Sequence, residues 1–214
     1  MDLILIGIIT AFVAYNYHKL ILLQKLLPFN PHKKPSKILS VVAGENIDMT
    51  QIEQSLYTTD LTYNLLPYSS VSQDSVLSEL NKGFNVFELS SHGLNGKFAL
   101  GNTTLPVSWL VDVLKEYPKL DVVLLLYCKS AQDIASIAAT GKFVIGLTDE
   151  VRDTDCITFA RQFYYYLNKQ YDYKEAFDHA KLHLPVDVYP KFIFNDGRLT
   201  KWPILTYQRI TNVL

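Results

Sequence analysis

The sequence predicts an α/β domain with a mostly parallel central sheet flanked by helices, preceded by one N-terminal transmembrane helix. Three observations carry this expectation. From residue 37 onward, apolar runs too short for helices alternate with amphipathic stretches, the pattern of strands covered on both faces. One run, Leu120–Tyr127 (LDVVLLLY), is apolar almost throughout, as a central parallel strand must be. Leu3–Tyr15 (LILIGIITAFVAY) carries neither charge nor proline.

The N-terminal segment reaches the roughly 20 residues that a bilayer core requires if the apolar stretch continues through Leu20–Leu23, with His18 and Lys19 held at an interface. Asp2 before the run and the lack of a small-x-small site after it argue against a cleaved leader. Lys19, Lys25, Lys33, Lys34 and Lys37 follow the run, which places the remainder on the cytoplasmic side of a single-pass protein by the positive-inside rule. Residues 1–27 are thus expected to be a membrane anchor. Residues 28–36, with PFNPHKKP at their heart, are expected to be an extended linker, and residues 37–214 the folded domain. An amphipathic helix lying in the interface is the other reading of the segment.

Within the domain, Ile38–Ala43 reads as a buried strand, Met49–Tyr57 as a short helix and Leu61–Leu66 as a second strand. Ser72–Asn81 reads as a helix stopped by Gly83, and Phe84–Leu89 as a strand running into Ser90-Ser91-His92-Gly93. GKFALGNTTL suggests a hairpin, and Val107–Tyr117 a helix closed by Pro118. After Leu120–Tyr127 and Cys128 come a short helix, the strand Lys142–Leu147, an acidic loop, and helices at 154–169 and 173–184. Phe159, Phe163, Tyr166 and Leu167 recur at helical spacing and read as core. An irregular tail with Trp202 is expected to finish the chain.

Twenty Lys and Arg balance 21 Asp and Glu, so there is no basic excess to neutralise phosphates and nucleic acid is not expected as a partner. The two cysteines, Cys128 and Cys156, lack the spacings of a disulfide framework, which fits a reducing compartment.

In open α/β sheets the reactive crevice lies outside the carboxyl ends of the strands, and His92 and Cys128 both follow such ends. A thiol needs a base to become a thiolate at neutral pH, and imidazole titrates in the right range. Ser130-Ala131-Gln132-Asp133 matches a capping box, which would direct a helix N-terminus toward Cys128. The amides of Gly93 and Cys128 could form an oxyanion hole, Gly93 allowing close approach of a carbonyl. His179 and His183 are four apart on a predicted helix, but without a third ligand they read as a packed or solvated pair. No metal or organic cofactor is required.

The succession of Ser91-His92-Gly93, a Gly-rich hairpin, a helix, a hydrophobic strand into Cys128-Lys129-Ser130, then FVIGLTDEVRDTDCITFARQFYYYL and YKEAFDHAK resembles the CHAT family of caspase-like peptidases, related to separase. The resemblance spans about residues 38–184. It implies a caspase-like fold, a His92–Cys128 dyad, a protein substrate, and control by a regulatory protein partner in microbial, including antiviral, defence or regulated cell death. It further implies that Asp153 or Asp155, in the acidic stretch with Asp149 and Glu150, lines the pocket for the side chain before the scissile bond and selects Arg or Lys. Two features depart from the family: Tyr127 stands where Ala is usual, and the stretch from Cys128 to Lys142 is short.

Two readings follow, a membrane-anchored cysteine endopeptidase and an inactive caspase-like module serving as a membrane-bound scaffold. A nucleotide-binding α/β domain ranks behind both, because Ala43-Gly44-Glu45-Asn46 is no phosphate-binding loop.

Overall fold

A computed structural model describes residues 37–47, 52, 56, 61–94, 96–169 and 171–197. The expected anchor and linker lie outside these residues, as do most of the 49–57 helix and the tail with Trp202.

Six strands form the central sheet in the order β2-β1-β3-β7-β8-β9: β1 (Lys37–Val42), β2 (Thr62–Leu66), β3 (Val86–Ser90), β7 (Val122–Leu126), β8 (Phe143–Leu147) and β9 (Phe192–Asp196). The first five are mutually parallel, as their unbroken apolar runs predict. Strand β9 departs from the expected irregular tail. It pairs antiparallel with β8 from Phe143↔Asp196 to Leu147↔Phe192, and so needs no crossover helix. A small antiparallel sheet, β4 (Gly93–Leu94), β5 (Lys97–Leu100) and β6 (Thr103–Pro106), contains the expected hairpin.

Alternation along the strands divides the core into two layers. Ile38, Val42, Val86, Val122, Leu124, Leu126 and Ile145 face one side, where α4 (Asp153–Asn168) and α5 (Tyr173–Lys181) cover them together with the helical residues Ile52 and Leu56. Leu39, Val41, Phe87, Leu89, Val123 and Leu125 face the other. There α1 (Gln73–Leu80), α2 (Val107–Glu116) and α3 (Ala131–Ala138) cover them. Phe159, Phe163 and Leu167 of α4 are buried as their spacing predicts. Two capping boxes start helices, Ser72 with Ser75 at α1 and Asp172 with Glu175 at α5.

Chain order reverses between β1 and β3, because β1 leads outward to β2 while β3 and all later sheet strands lie on its other side. Such a switch point opens a crevice at the carboxyl ends of the two strands. Gly44 and Glu45 leave β1 at that crevice, and His92 leaves β3 there.

Candidate active site

Strands β3 and β7 pair in parallel from Val86↔Val122 to Ser90↔Leu126. The Ser91 amide extends the ladder by donating to the Leu126 carbonyl at 3.4 Å. His92 and Cys128 each lie two residues beyond the last pair, so neighbouring strands deliver them at one level. Tyr127 belongs to the α1–α3 core layer, which by alternation gives Cys128 to the opposite face, that of Leu126.

His92 is exposed, and its ring is fixed from the β1 side. Nε2 lies 2.8 Å from the backbone carbonyl oxygen of Glu45. A carbonyl oxygen only accepts, so Nε2 is the donor in this bond, and in the neutral imidazole Nδ1 is the acceptor nitrogen. Gly44 makes room for the ring, since a Cβ there would stand 3.0 Å from His92 Cδ2.

Cys128 is partly exposed and opens a tight turn in which the Ser130 amide donates to the Tyr127 carbonyl at 3.2 Å. Lys129 turns the corner with φ +60°, a left-handed conformation that costs a non-glycine residue about 1 kcal/mol. Such strain persists only where the surroundings impose it. They do so here through the fully buried Ser130, whose hydroxyl donates to the Leu125 carbonyl at 3.0 Å and accepts from the Leu147 amide at 2.8 Å. This corrects the expected capping box: Ser130 is helical in backbone and makes no cap bond, because its hydroxyl is spent tying β7 to β8. Helix α3 still begins three residues after Cys128.

Tyr127 is held on both faces of its turn. Its ring stacks on Phe98 at 6.1 Å, and its hydroxyl donates to Asp133 Oδ2 at 3.0 Å. Burial, then the neighbouring Asp133 charge, pushes the phenol well above its usual range. Burial likewise raises the Asp133 carboxyl. The ring also fills the space beside Gly93, where a Cβ would fall 2.2 Å from Tyr127 Cδ2 and 3.1 Å from the Cys128 carbonyl oxygen. The two backbones carrying the amides of Gly93 and Cys128 therefore converge, and Gly93 is required first by the tyrosine.

A cavity of about 10 Å³ lies on the Leu126 face below this junction, between the sheet and α4. Glu88, Ser90, Asp153 and Cys156 line it with apolar neighbours that include Ile47 and Leu126. Glu88 is 1% exposed. Its Oε1 accepts from Ser40 at 3.2 Å and from Ser90 at 3.3 Å, and its Oε2 accepts from Tyr164. Burial raises its carboxyl above the usual range against the opposing pull of those three hydroxyls. Cys156 is buried, which pushes its thiol far up, with further pushes from Asp153 and Cys128.

The two predicted pocket acids part company. Asp153 and Asp155 both sit in the first turn of α4, and of the acidic stretch only Asp149 and Glu150 precede the helix. Asp153 lines the cavity. Asp155, buried at 6% exposure, is bound by Arg152 Nε at 2.8 Å. Asp149 and Glu150 meet Lys191 and Lys129 at 3.5 and 3.8 Å, solvent-exposed contacts of little energetic weight.

His179 and His183 pack against Tyr166 at 4.8 and 5.9 Å, with His183 Nε2 3.0 Å from the Tyr166 hydroxyl. Among the described residues no group of three or more His, Cys, Asp or Glu could hold a metal ion. No helix among them is long and apolar enough to cross a membrane.

Sequence reasoning missed Glu45, which acts through a backbone carbonyl that no side-chain pattern reveals. It also missed Glu88, whose signal was legible: a lone carboxylate in the otherwise apolar strand VFELS, on the face that leads to His92.

No family model and no curated protein matches the chain. Among solved structures, 21 chains match. One is the Arg-specific cysteine proteinase gingipain R (RGPB), with a TM-score of 0.53 and 12% identity over 80% of this chain. The match spans 46% of the gingipain chain, less than half its length. The two proteins share a fold. A mostly parallel sheet flanked by helices is the caspase-like architecture expected from the sequence.

Proposed function

We propose that the chain is a cysteine endopeptidase in which Cys128 is the nucleophile and His92 its base. The observation that carries this reading is the parallel register that presents both residues two steps beyond the Ser90↔Leu126 pair, with the imidazole ring oriented by the bond between Nε2 and the Glu45 carbonyl. The likeness to a cysteine proteinase fold supports it.

In this mechanism Nδ1 takes the thiol proton and the sulfur attacks a peptide carbonyl carbon. The amides of Gly93 and Cys128 stabilise the resulting oxyanion. Imidazolium then protonates the leaving amine, and water, deprotonated by the same imidazole, releases the acid and restores the thiol. The Glu45 carbonyl accepts from Nε2–H throughout and supports the charged imidazolium. Asp153 belongs to the pocket for the residue before the cut, whereas Asp155 is engaged with Arg152 and serves the helix start. The resemblance to CHAT peptidases extends the proposal to a protein substrate, a regulatory protein partner and a defence or cell-death role. The apolar N-terminal segment extends it to a membrane anchor with the domain on the cytoplasmic side.

The test is cleavage of a pooled peptide library by detergent-solubilised full-length protein, with cell lysate added to supply an activator, for wild type, Cys128→Ala and His92→Ala. Cleavage by wild type alone supports the dyad. Equal cleavage by Cys128→Ala, or none by wild type, favours the scaffold reading.

A further inference from the structure

One side chain of β3 is out of keeping with the strand that holds it. Glu88 stands between Phe87 and Leu89 in the middle of the sheet and is 1% exposed. A carboxyl at such a position is less favourable than an apolar side chain of similar volume, which would need no hydrogen bonds there. Residues that break a local rule in this way are retained mainly where activity requires them.

The hydrogen bonds of Glu88 point to what it does. Oε2 accepts from Tyr164, which belongs to α4. Oε1 accepts from both Ser40 and Ser90, so a single oxygen joins two strands. Ser40 is the direct cross-strand partner of Glu88 in β1, and Ser90 closes the same ladder opposite Val42. Just beyond, the Ser90 carbonyl accepts from the Ala43 amide at 2.8 Å and from the Gly44 amide at 3.3 Å. Those amides lead directly to Glu45, whose carbonyl oxygen lies 2.8 Å from His92 Nε2. Ser90 itself is two residues before His92. The two chain segments that meet at the imidazole, residues 43–45 after β1 and 90–92 after β3, therefore leave the sheet from one junction, and Glu88 Oε1 clamps it.

We propose that Glu88 is a positioning residue for His92. Through Ser40 and Ser90 it fixes the exit of β1 against the exit of β3, and so holds the Glu45 carbonyl where Nε2–H donates to it. The consequence for catalysis rests on the peptidase reading. A neutral imidazole has two tautomers, and an acceptor fixed at Nε2 selects the one whose Nδ1 can take a proton from a thiol. Small misplacements of such a group are costly, since proton transfer needs a well-aligned hydrogen bond. An apolar residue at 88 would leave the Ser40 and Ser90 hydroxyls without their shared acceptor, and only backbone bonds would then set the two exits.

The experiment uses full-length protein in detergent with 15N-labelled histidine. It reads the His92 ring by NMR at pH 8.5, about two units above an ordinary imidazole, and the signal lost in His92→Ala assigns it. The expected ring is the Nε2–H tautomer in wild type and in Glu88→Gln, whose amide oxygen can still accept from both serines. Glu88→Leu should show a mixture with the Nδ1–H form. Ser90→Ala, a smaller change, should show the same mixture even where the leucine variant does not fold. Tyr164→Phe removes the bond to Oε2 and should lower the melting temperature while leaving the tautomer as in wild type, which separates positioning from general loosening. An Nδ1–H ring in wild type, an unchanged ring in both Glu88→Leu and Ser90→Ala, or an equal change in Tyr164→Phe overturns the proposal. Labelling of Cys128 by a peptidyl acyloxymethyl ketone, followed by mass spectrometry, tests the consequence. It should slow about tenfold in Glu88→Leu, the factor carried by one good hydrogen bond, and recover most of the wild-type rate in Glu88→Gln. An undiminished rate in Glu88→Leu overturns the positioning role. Absence of any adduct in wild type overturns the peptidase reading and leaves the tautomers to decide whether Glu88 holds His92.

Discussion

The ring of Tyr127 occupies the space that a side chain at residue 93 would need. A Cβ on Gly93 would fall 2.2 Å from Tyr127 Cδ2, so the residue before Cys128 and the residue after His92 define one another. Gly93→Ala should therefore destabilise the fold by about 1–3 kcal/mol, the usual range for overpacking. It should also abolish cleavage by separating the two backbones. Combining it with Tyr127→Ala should recover part of the loss. A double-mutant cycle in urea checks this: additive losses would mean that the ring and the glycine do not share the space.

Cys128 and Cys156 should differ in reactivity. Burial and neighbouring carboxylates push the Cys156 thiol far up, while Cys128 is partly exposed at the carboxyl edge of the sheet. Iodoacetamide at pH 7, followed by peptide mapping, should modify Cys128 at least about tenfold faster. His92→Ala should remove most of that advantage.

The sheet, and the places of His92 and Cys128 at its carboxyl edge, were legible because they depend on short-range pattern. LDVVLLLY could only be a doubly covered strand, and a strand that ends in His or Cys delivers it to the carboxyl edge. Other features depend on contacts that pattern does not encode. Ser130 matches a capping box in sequence, yet its hydroxyl is claimed by the Leu147 amide, contributed by a strand that begins 13 residues later. Phe192–Asp196 joins the sheet only because β8 presents an open edge, which no local signal announces. Asp153 and Asp155 look equivalent in sequence, and Arg152 separates them.

Ser130→Ala should be more damaging than its small size suggests. It removes a 3.0 Å bond to Leu125 and strands the buried Leu147 amide, at a cost of about 2–3 kcal/mol. Chemical denaturation measures the loss. A change below about 0.5 kcal/mol would show that the Lys129 turn is held by something else.

Lys129→Gly should act in the opposite direction. Glycine accepts φ +60° without a Cβ clash, so the turn gains up to about 1 kcal/mol, partly offset by the greater freedom of glycine in the unfolded chain. Lys129→Val should lose stability, and the ordering of the three melting temperatures is the check.

Stability should depend on pH through Glu88. Its native carboxyl is raised by burial, so the folded state keeps a proton that the unfolded chain releases above about the ordinary value of 4.5. The unfolded state then binds fewer protons, and stability falls as pH rises toward the native value. Asp133, also raised, contributes in the same direction. Glu88→Gln should be more stable than wild type at pH 7 and flatter between pH 5 and 8, which melting curves across that range would reveal. A wild-type curve that climbs with pH would contradict a Glu88 carboxyl raised by burial.

Because five strands run the same way, the domain has one working pole and one silent pole. The turn before β3 belongs to the silent pole. Gly83 sits there at φ +77°, and a Cβ at that position would meet nothing within 4 Å. A reporter or affinity handle grafted into this turn would hang from the far end of the sheet, leaving the carboxyl edge that carries His92 and Cys128 open for capture of whatever binds it.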